Sequence, residues 1–143
     1  MRSNLDPVKP DGTRPNILIV DDSEGMRLCV RTILDVLDVN LSEASDGAQA
    51  LARLVADDYD IVVTDLEMAP LSGFHLIAGL DHLPARRRRP KVIVCSALVG
   101  THLLADRTEL IGAAALLQKP VRAAELLGEV IRALEEGPQG ALT

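Results

Sequence analysis

The chain has 143 residues, 48% of them hydrophobic, which is enough for one domain whose core needs no disulfide or metal to hold it together. Its only aromatic residues are Tyr59 and Phe74, so the core must be aliphatic, which favours a layered α/β fold. The formal net charge of −6 disfavours proteins that bind nucleic acid, and the lack of any apolar run of about 18 residues excludes a transmembrane helix.

The N-terminal segment and the cysteines indicate the compartment. Residues 1–15 contain Pro, Gly, Asn and Asp but no apolar run, so we expect a flexible extension and not a signal peptide. Cys29 and Cys95 lie in apolar stretches without metal-ligand spacing, which predicts two small buried side chains in a reducing environment. We therefore expect a cytoplasmic protein.

Short apolar runs predict the strands. The clearest runs do not alternate with polar residues, which is typical of strands that are covered on both faces in a parallel sheet. The second strand is a weaker segment, and the predicted strands are 17–20, 40–44, 61–64, 92–95 and 114–117.

Segments with helical spacing of apolar residues alternate with these strands. Asp22 or Ser23 is a possible cap for the first helix, and Gly137-Pro138 would stop the last. Strict alternation predicts a parallel sheet with helices on both faces, because each parallel crossover needs a helix. The predicted helices cover about 26–37, 48–55, 74–80, 103–110 and 123–134, in one domain over residues 16–136 followed by a tail over 137–143.

Polar side chains stand where four predicted strands end. Asp21 and Asp22 follow the first strand, Asp65 follows the third, Ser96 ends the fourth and Lys119 follows the fifth. Open α/β sheets bind ligands at the carboxyl ends of their strands, so these groups should converge. Each residue alone suits an ordinary helix cap, turn or solvated surface, but together they indicate a site. Three adjacent carboxylates repel one another and need a cation, and hard oxygen ligands suit Mg²⁺.

The sequence resembles the receiver domain of bacterial response regulators over residues 16–136. The resemblance implies a flavodoxin-like, doubly wound sheet with strand order 2-1-3-4-5 and a cis peptide bond before Pro120. The first helix further resembles the chemotaxis-type subgroup. The likeness rests on Val20-Asp21-Asp22-Ser23, Thr64-Asp65-Leu66-Glu67-Met68, Ser72-Gly73, Cys95-Ser96-Ala97, Gly112-Ala113 and Lys119-Pro120, in the family's order and spacing.

The resemblance also implies the chemistry of the site. Asp65 would accept a phosphoryl group from a histidine kinase or a histidine phosphotransfer protein and signal to an unidentified protein target. Mg²⁺ or Mn²⁺ would be held by Asp22, Asp65 and the backbone carbonyl of Glu67, with Asp21 acting through water. The chain would assist hydrolysis of its own acyl phosphate but would not otherwise be an enzyme.

The remaining implied roles concern the switch. Ser96 resembles the hydroxyl that follows the phosphoryl group and Lys119 its ion-pair partner, while Ala97, Leu98 and Leu116 occupy positions that modulate these steps. Where the family mostly has an aromatic ring, this chain has Leu116. We expect that side chain to stay packed at the end of a buried strand, so that activation shows mainly in the loop and helix after Ser96. The family also usually has Pro at the position of Ala69, which makes the shape of that loop harder to predict.

Other features favour simpler interpretations. Arg86 to Arg89 precede the fourth strand, away from the acids, and indicate a solvated loop and no nucleic-acid site. His75, His82 and His102 have no spacing typical of a metal site or a catalytic triad. Two alternatives to a stand-alone receiver remain open: a non-switching interaction module with the receiver fold, and the receiver fragment of a larger regulator or hybrid kinase.

Overall fold

A computed structural model describes residues 12–67, 73–84, 88–99 and 112–136. In these residues a five-stranded parallel sheet has the order β2-β1-β3-β4-β5, which confirms the predicted doubly wound topology. The strands are β1 (Asn16–Val20), β2 (Asn40–Ala44), β3 (Ile61–Thr64), β4 (Lys91–Ser96) and β5 (Ala115–Gln118).

Helices follow the strands closely. The described helices are α1 (Glu24–Leu34), α2 (Gly47–Ala56), α3 (Gly73–Gly79) with a 3-10 turn (Leu80–His82), and α4 (Ala123–Glu135). The helix predicted over 103–110 and the tail over 137–143 lie outside the described residues, as do residues 1–11 of the predicted extension. The domain bounds of 16 and 136 therefore remain a prediction.

The sheet is buried on both faces, which explains the continuous apolar strands. Ile17 and Ile19 pack with residues of α1 and α4, whereas Leu18 and Val20 pack with residues of α2 and α3 on the other face. Side chains on both sides of β1 are thus withdrawn from water, and each buried aliphatic side chain contributes about 1.5–3 kcal/mol to folding.

Side-chain caps begin two helices directly after the strands that precede them. Ser23 Oγ accepts a hydrogen bond from the Met26 amide at 3.2 Å, and Asp46 Oδ1 accepts one from the Gln49 amide at 2.8 Å. Ser23 and not Asp22 therefore caps α1. The helices α1 and α2 thus begin close to the carboxyl edge of the sheet.

The structure corrects two expectations about burial. Cys29 is exposed, whereas Cys95 is buried as expected. Cys29 lies beside Leu28, which is 63% exposed, so the apolar stretch in α1 is wider than the face that packs on the sheet. Leu116 is 44% exposed and is not packed in the core. It lies on the edge strand β5, where the alternation of side chains directs Leu117 into the core instead.

Within the residues that the structure describes, no helix is both long and apolar enough to cross a membrane.

Candidate functional site

The site lies at the carboxyl edge of the sheet, where the parallel ladder continues one residue past the ends of β1 and β3. The Asp21 amide donates to the Ala44 carbonyl at 3.2 Å, and the Asp65 amide donates to the Val20 carbonyl at 3.1 Å. These bonds hold both backbones in the plane of the sheet. Both aspartates are 6% exposed, so their carboxylates are set into the protein by the strands themselves.

Three carboxylates meet at this edge. One oxygen from each of Asp21, Asp22 and Asp65 lies within 4.8 Å of the other two. Asp22 is exposed while the other two are buried, so the cluster is open to water on one side. Hard carboxylate oxygens at this spacing suit a divalent cation that keeps part of its water shell. The donor set therefore fits the metal ion that the sequence predicts.

Lys119 is the cation that faces this cluster. Its Nζ lies 3.2 Å from Asp21 Oδ2 and 3.4 Å from Asp65 Oδ1. Its amide donates to the Ser96 carbonyl at 3.1 Å, and the Lys119–Pro120 peptide is cis, as the resemblance implies. Burial lowers the pKa of Lys119, but the two carboxylates outweigh burial and the net pKa is raised. Lys119 is therefore a fixed positive charge at neutral pH.

Several effects act in opposite directions on the pKa of Asp65, the candidate nucleophile. Burial raises its pKa and outweighs the attraction of Lys119, while the negative charge of Asp21 raises it further. The Asp65 carboxylate also accepts backbone hydrogen bonds, from Leu66 at 2.9 Å and from Glu67, and these favour its charged form. The Thr64 hydroxyl donates to the Asp65 carbonyl at 2.8 Å and fixes the backbone there.

Ser96 is the last residue of β4 and lies at the same edge of the sheet. The residue is fully buried, and its Oγ accepts a hydrogen bond from the Leu98 amide at 3.0 Å. This bond ties the loop that begins at Ala97 to the strand end. Ala97 is exposed and Leu98 is partly buried, so the loop borders the site from the solvent side.

The structure thus brings the three aspartate carboxylates together and places Lys119 in contact with Asp21 and Asp65, with Ser96 at the neighbouring strand end. Glu67 is exposed and adjoins Asp65. Leu116 is the predicted modulator that the structure leaves on the surface.

Of the histidines, His75 and His82 are exposed and His102 lies outside the described residues. Residues 85–87 and 68–72, which include two of the four arginines and the Ala69 loop, also lie outside the described part.

The prediction from sequence missed Arg27, whose NH1 donates to the Asp21 carbonyl at 2.7 Å. Its Nε pairs with Glu43 Oε1 on β2 at 3.0 Å, and Arg31 pairs with the other Glu43 oxygen at 3.0 Å. The available signal was the spacing of Arg27 and Arg31, which places two cations on one face of α1 opposite an acid of the neighbouring strand.

Comparison with known proteins agrees with this geometry. The model of the response regulator receiver domain family matches residues 17–131. The chain belongs to this family. Members of the family generally act in two-component signalling and not as enzymes. This receiver is 30% identical over 120 residues to the chemotaxis protein CheY of Bacillus subtilis, a match that covers 82% of the chain and 96% of CheY.

Larger relatives and solved structures extend the comparison. The gliding motility regulatory protein of Myxococcus xanthus is 34% identical over 87 residues, which is 61% of this receiver and 11% of that protein. The chain thus spans a small part of some relatives it matches. The signal receiver domain of an HD domain-containing protein from Pseudomonas fluorescens has a TM-score of 0.75 and 27% identity, covering 87% of this chain and 97% of that one.

Proposed function

We propose that this receiver domain takes a phosphoryl group onto the carboxylate of Asp65. The observation that carries the proposal is the position of Asp65. It is a buried carboxylate at the end of a central strand, with a carboxylate oxygen within 4.8 Å of the oxygens of Asp21 and Asp22, and it contacts Lys119 at 3.4 Å. A nucleophile, a cation and a set of metal ligands in one place meet the needs of phosphoryl transfer, which depends on positioning and on charge neutralisation.

The metal proposal is Mg²⁺ or Mn²⁺ held by Asp22, Asp65 and the Glu67 carbonyl, with Asp21 acting through water. Both Asp21 oxygens already have partners, because Oδ1 accepts from the Ser23 amide at 2.9 Å and Oδ2 faces Lys119 at 3.2 Å. That engagement supports an indirect role for Asp21. When bound, the metal ion would neutralise negative charge on the incoming phosphoryl oxygens.

The side chains of the site have separate roles in the proposed transfer. The Asp65 oxygen forms the new bond to phosphorus as the bond between phosphorus and the donor's histidine nitrogen breaks. The Lys119 ammonium holds phosphoryl charge, and the Ser96 hydroxyl donates to a phosphoryl oxygen. The Ser96 Oγ also accepts a hydrogen bond from the Leu98 amide at 3.0 Å, so any movement of Ser96 toward the phosphoryl group would be transmitted to this loop, and we propose that the switch begins at Ala97 and Leu98. The chain itself would also assist hydrolysis of the acyl phosphate, with Leu98 near the path of the water.

The proposed partners are a histidine kinase or a histidine phosphotransfer protein as donor, and an unidentified protein target. Since Leu116 is 44% exposed, we propose that it modulates output from the surface. A receiver segment of a larger regulator remains the alternative, supported by relatives such as the Myxococcus protein, of which the chain spans 11%. A non-switching module is less well supported, because it would need none of the charged groups gathered at the site. A cytoplasmic location stays a prediction.

The test is the intact mass of the protein after incubation with acetyl phosphate and Mg²⁺. We expect a mass increase of one phosphoryl group in the wild type and none in Asp65→Asn. Asp57→Asn is the matched control, because Asp57 is an exposed aspartate beyond the end of α2, and it should be labelled like the wild type. Full labelling of Asp65→Asn would overturn the assignment of the acceptor.

A further inference from the structure

The Arg27 side chain reaches from α1 across the end of β1. Its NH1 donates to the Asp21 carbonyl at 2.7 Å, and its side chain is only 16% exposed. This contact is made to the backbone of Asp21 and not to its carboxylate. It thus acts on the backbone that carries two of the three acids.

The Asp21 amide still donates to the Ala44 carbonyl, but the paired residues of β1 end at Val20, opposite Ala44 on one side and Thr64 on the other. Within the described residues, the hydrogen bonds of the sheet therefore do not extend to the Asp21 carbonyl. Arg27 thus takes the place of a ladder partner at the first residue beyond the strand. A hydrogen bond from a charged donor is stronger than a neutral one, so the guanidinium holds this carbonyl firmly.

The orientation of that carbonyl is also the orientation of the peptide between Asp21 and Asp22. Because a peptide unit is planar, fixing the Asp21 oxygen fixes the Asp22 amide and the positions of both α-carbons, from which the two side chains start. We propose that Arg27 is a positioning residue that locks this peptide and thereby sets the affinity of the three-aspartate cluster for a divalent cation. The inference rests on the proposed metal-dependent function.

Arg27 is itself held in place by charge. Glu43 on β2 pairs with Arg27 through Oε1 and with Arg31 through Oε2, each at 3.0 Å. Arg31 is 42% exposed and, within the described residues, pairs with Glu43 and not with the aspartates, so it supports Glu43 alone. Arg31 therefore provides a control that changes the same ion-pair network without touching the Asp21 carbonyl.

Positioning and simple charge have opposite consequences for metal binding. If Arg27 acted only as a nearby positive charge, its removal would strengthen the binding of a cation. If it positions the ligands, its removal should weaken binding, as loss of a group that orients a metal ligand commonly does. The sign of the change therefore separates the two roles.

The experiment titrates Mn²⁺ into wild-type, Arg27→Met, Arg27→Lys and Arg31→Met proteins and measures free Mn²⁺ by electron paramagnetic resonance. We expect about 10-fold weaker binding for Arg27→Met. Arg27→Lys can still donate to the Asp21 carbonyl and should retain most of the affinity, and Arg31→Met should bind like the wild type. In the metal-free proteins, the Asp22 amide resonance should shift in Arg27→Met and not in Arg31→Met.

The outcomes separate this inference from the proposed function. Unchanged or tighter Mn²⁺ binding by folded Arg27→Met, beside a wild type that binds, would overturn the role of Arg27 alone. A wild type that binds no Mn²⁺ would overturn both. If Arg27→Met does not fold, the same comparison with Arg27→Gln decides, because Gln stays polar but is too short to reach both Asp21 and Glu43.

Discussion

The ammonium of Lys119 stabilises a cluster of like charges, and the change Lys119→Met removes it while keeping most of the apolar length of the side chain. Coulomb's law with an effective dielectric constant of about 20 gives roughly 5 kcal/mol of attraction for each contact, at 3.2 Å to Asp21 and 3.4 Å to Asp65. Much of this attraction is offset by the cost of withdrawing the three groups from water.

The net effect of Lys119→Met on the unfolding free energy depends on the buried carboxylates that lose their partner. Loss of one partner from a buried ion pair costs about 3–5 kcal/mol, because the other charge stays buried. Since Lys119 keeps 20% side-chain exposure, we expect about 3 kcal/mol of lost unfolding free energy in the metal-free protein. For a domain of this size that corresponds to a fall in Tm of roughly 10 °C. A bound divalent cation would replace the missing charge, so Mg²⁺ should raise the Tm of Lys119→Met more than that of the wild type.

Thermal melts by circular dichroism, in EDTA and in saturating Mg²⁺, measure both effects. Lys91→Met is the matched control. The Lys91 side chain is 9% exposed, lies at the opposite end of β4 and pairs at 3.1 Å with Glu136, which is 58% exposed. Loss of the Lys91 ammonium leaves no buried charge unpaired. The change in Tm caused by Lys91→Met should therefore be the same with and without Mg²⁺. The reasoning is refuted if Lys119→Met melts like the wild type in EDTA, or if Mg²⁺ stabilises both proteins equally.

Three further predictions follow from the same structure. A chelator should abolish labelling by acetyl phosphate, measured by intact mass, because the aspartate cluster would otherwise repel the donor; labelling at an unchanged rate would contradict this. Burial raises the pKa of the Cys95 thiol to about 12, so iodoacetamide at pH 8 should modify the exposed Cys29 alone, and mass spectrometry showing modified Cys95 in the native protein would argue against the packing. On binding of beryllofluoride, methyl resonances of Leu98 and Val99 should shift more than those of Leu116; the reverse order would show that the switch does not begin after Ser96.

The sequence was sufficient to predict the strands and the residues at their ends. Unbroken apolar runs identified β1, β3 and β4, and parallel strands bring the residues after them to one edge. The convergence of Asp21, Asp65 and Lys119 needs only this rule. It did not depend on loop shapes, which local sequence determines poorly.

Burial on individual faces was harder to predict. Cys29 and Leu116 stand in apolar stretches, but periodicity does not tell which face another element covers. In the described part of the chain, the edge strand β5 pairs with β4 on one side only, so an apolar residue there can remain in water. Arg27 was missed for a related reason, because its bond to the Asp21 carbonyl depends on how α1 crosses the end of β1.

The charges of the site impose an order on its chemistry. Within the described residues, three carboxylates face one ammonium, which leaves two negative charges uncompensated at the place where the proposed phosphoryl group would arrive. An anion cannot approach them until those charges are balanced, and a divalent cation balances both at once. Lys119 alone cannot do this, because its contacts are already shared between Asp21 and Asp65. Metal binding would therefore have to precede phosphoryl transfer, because the anionic donor is admitted only once these charges are balanced.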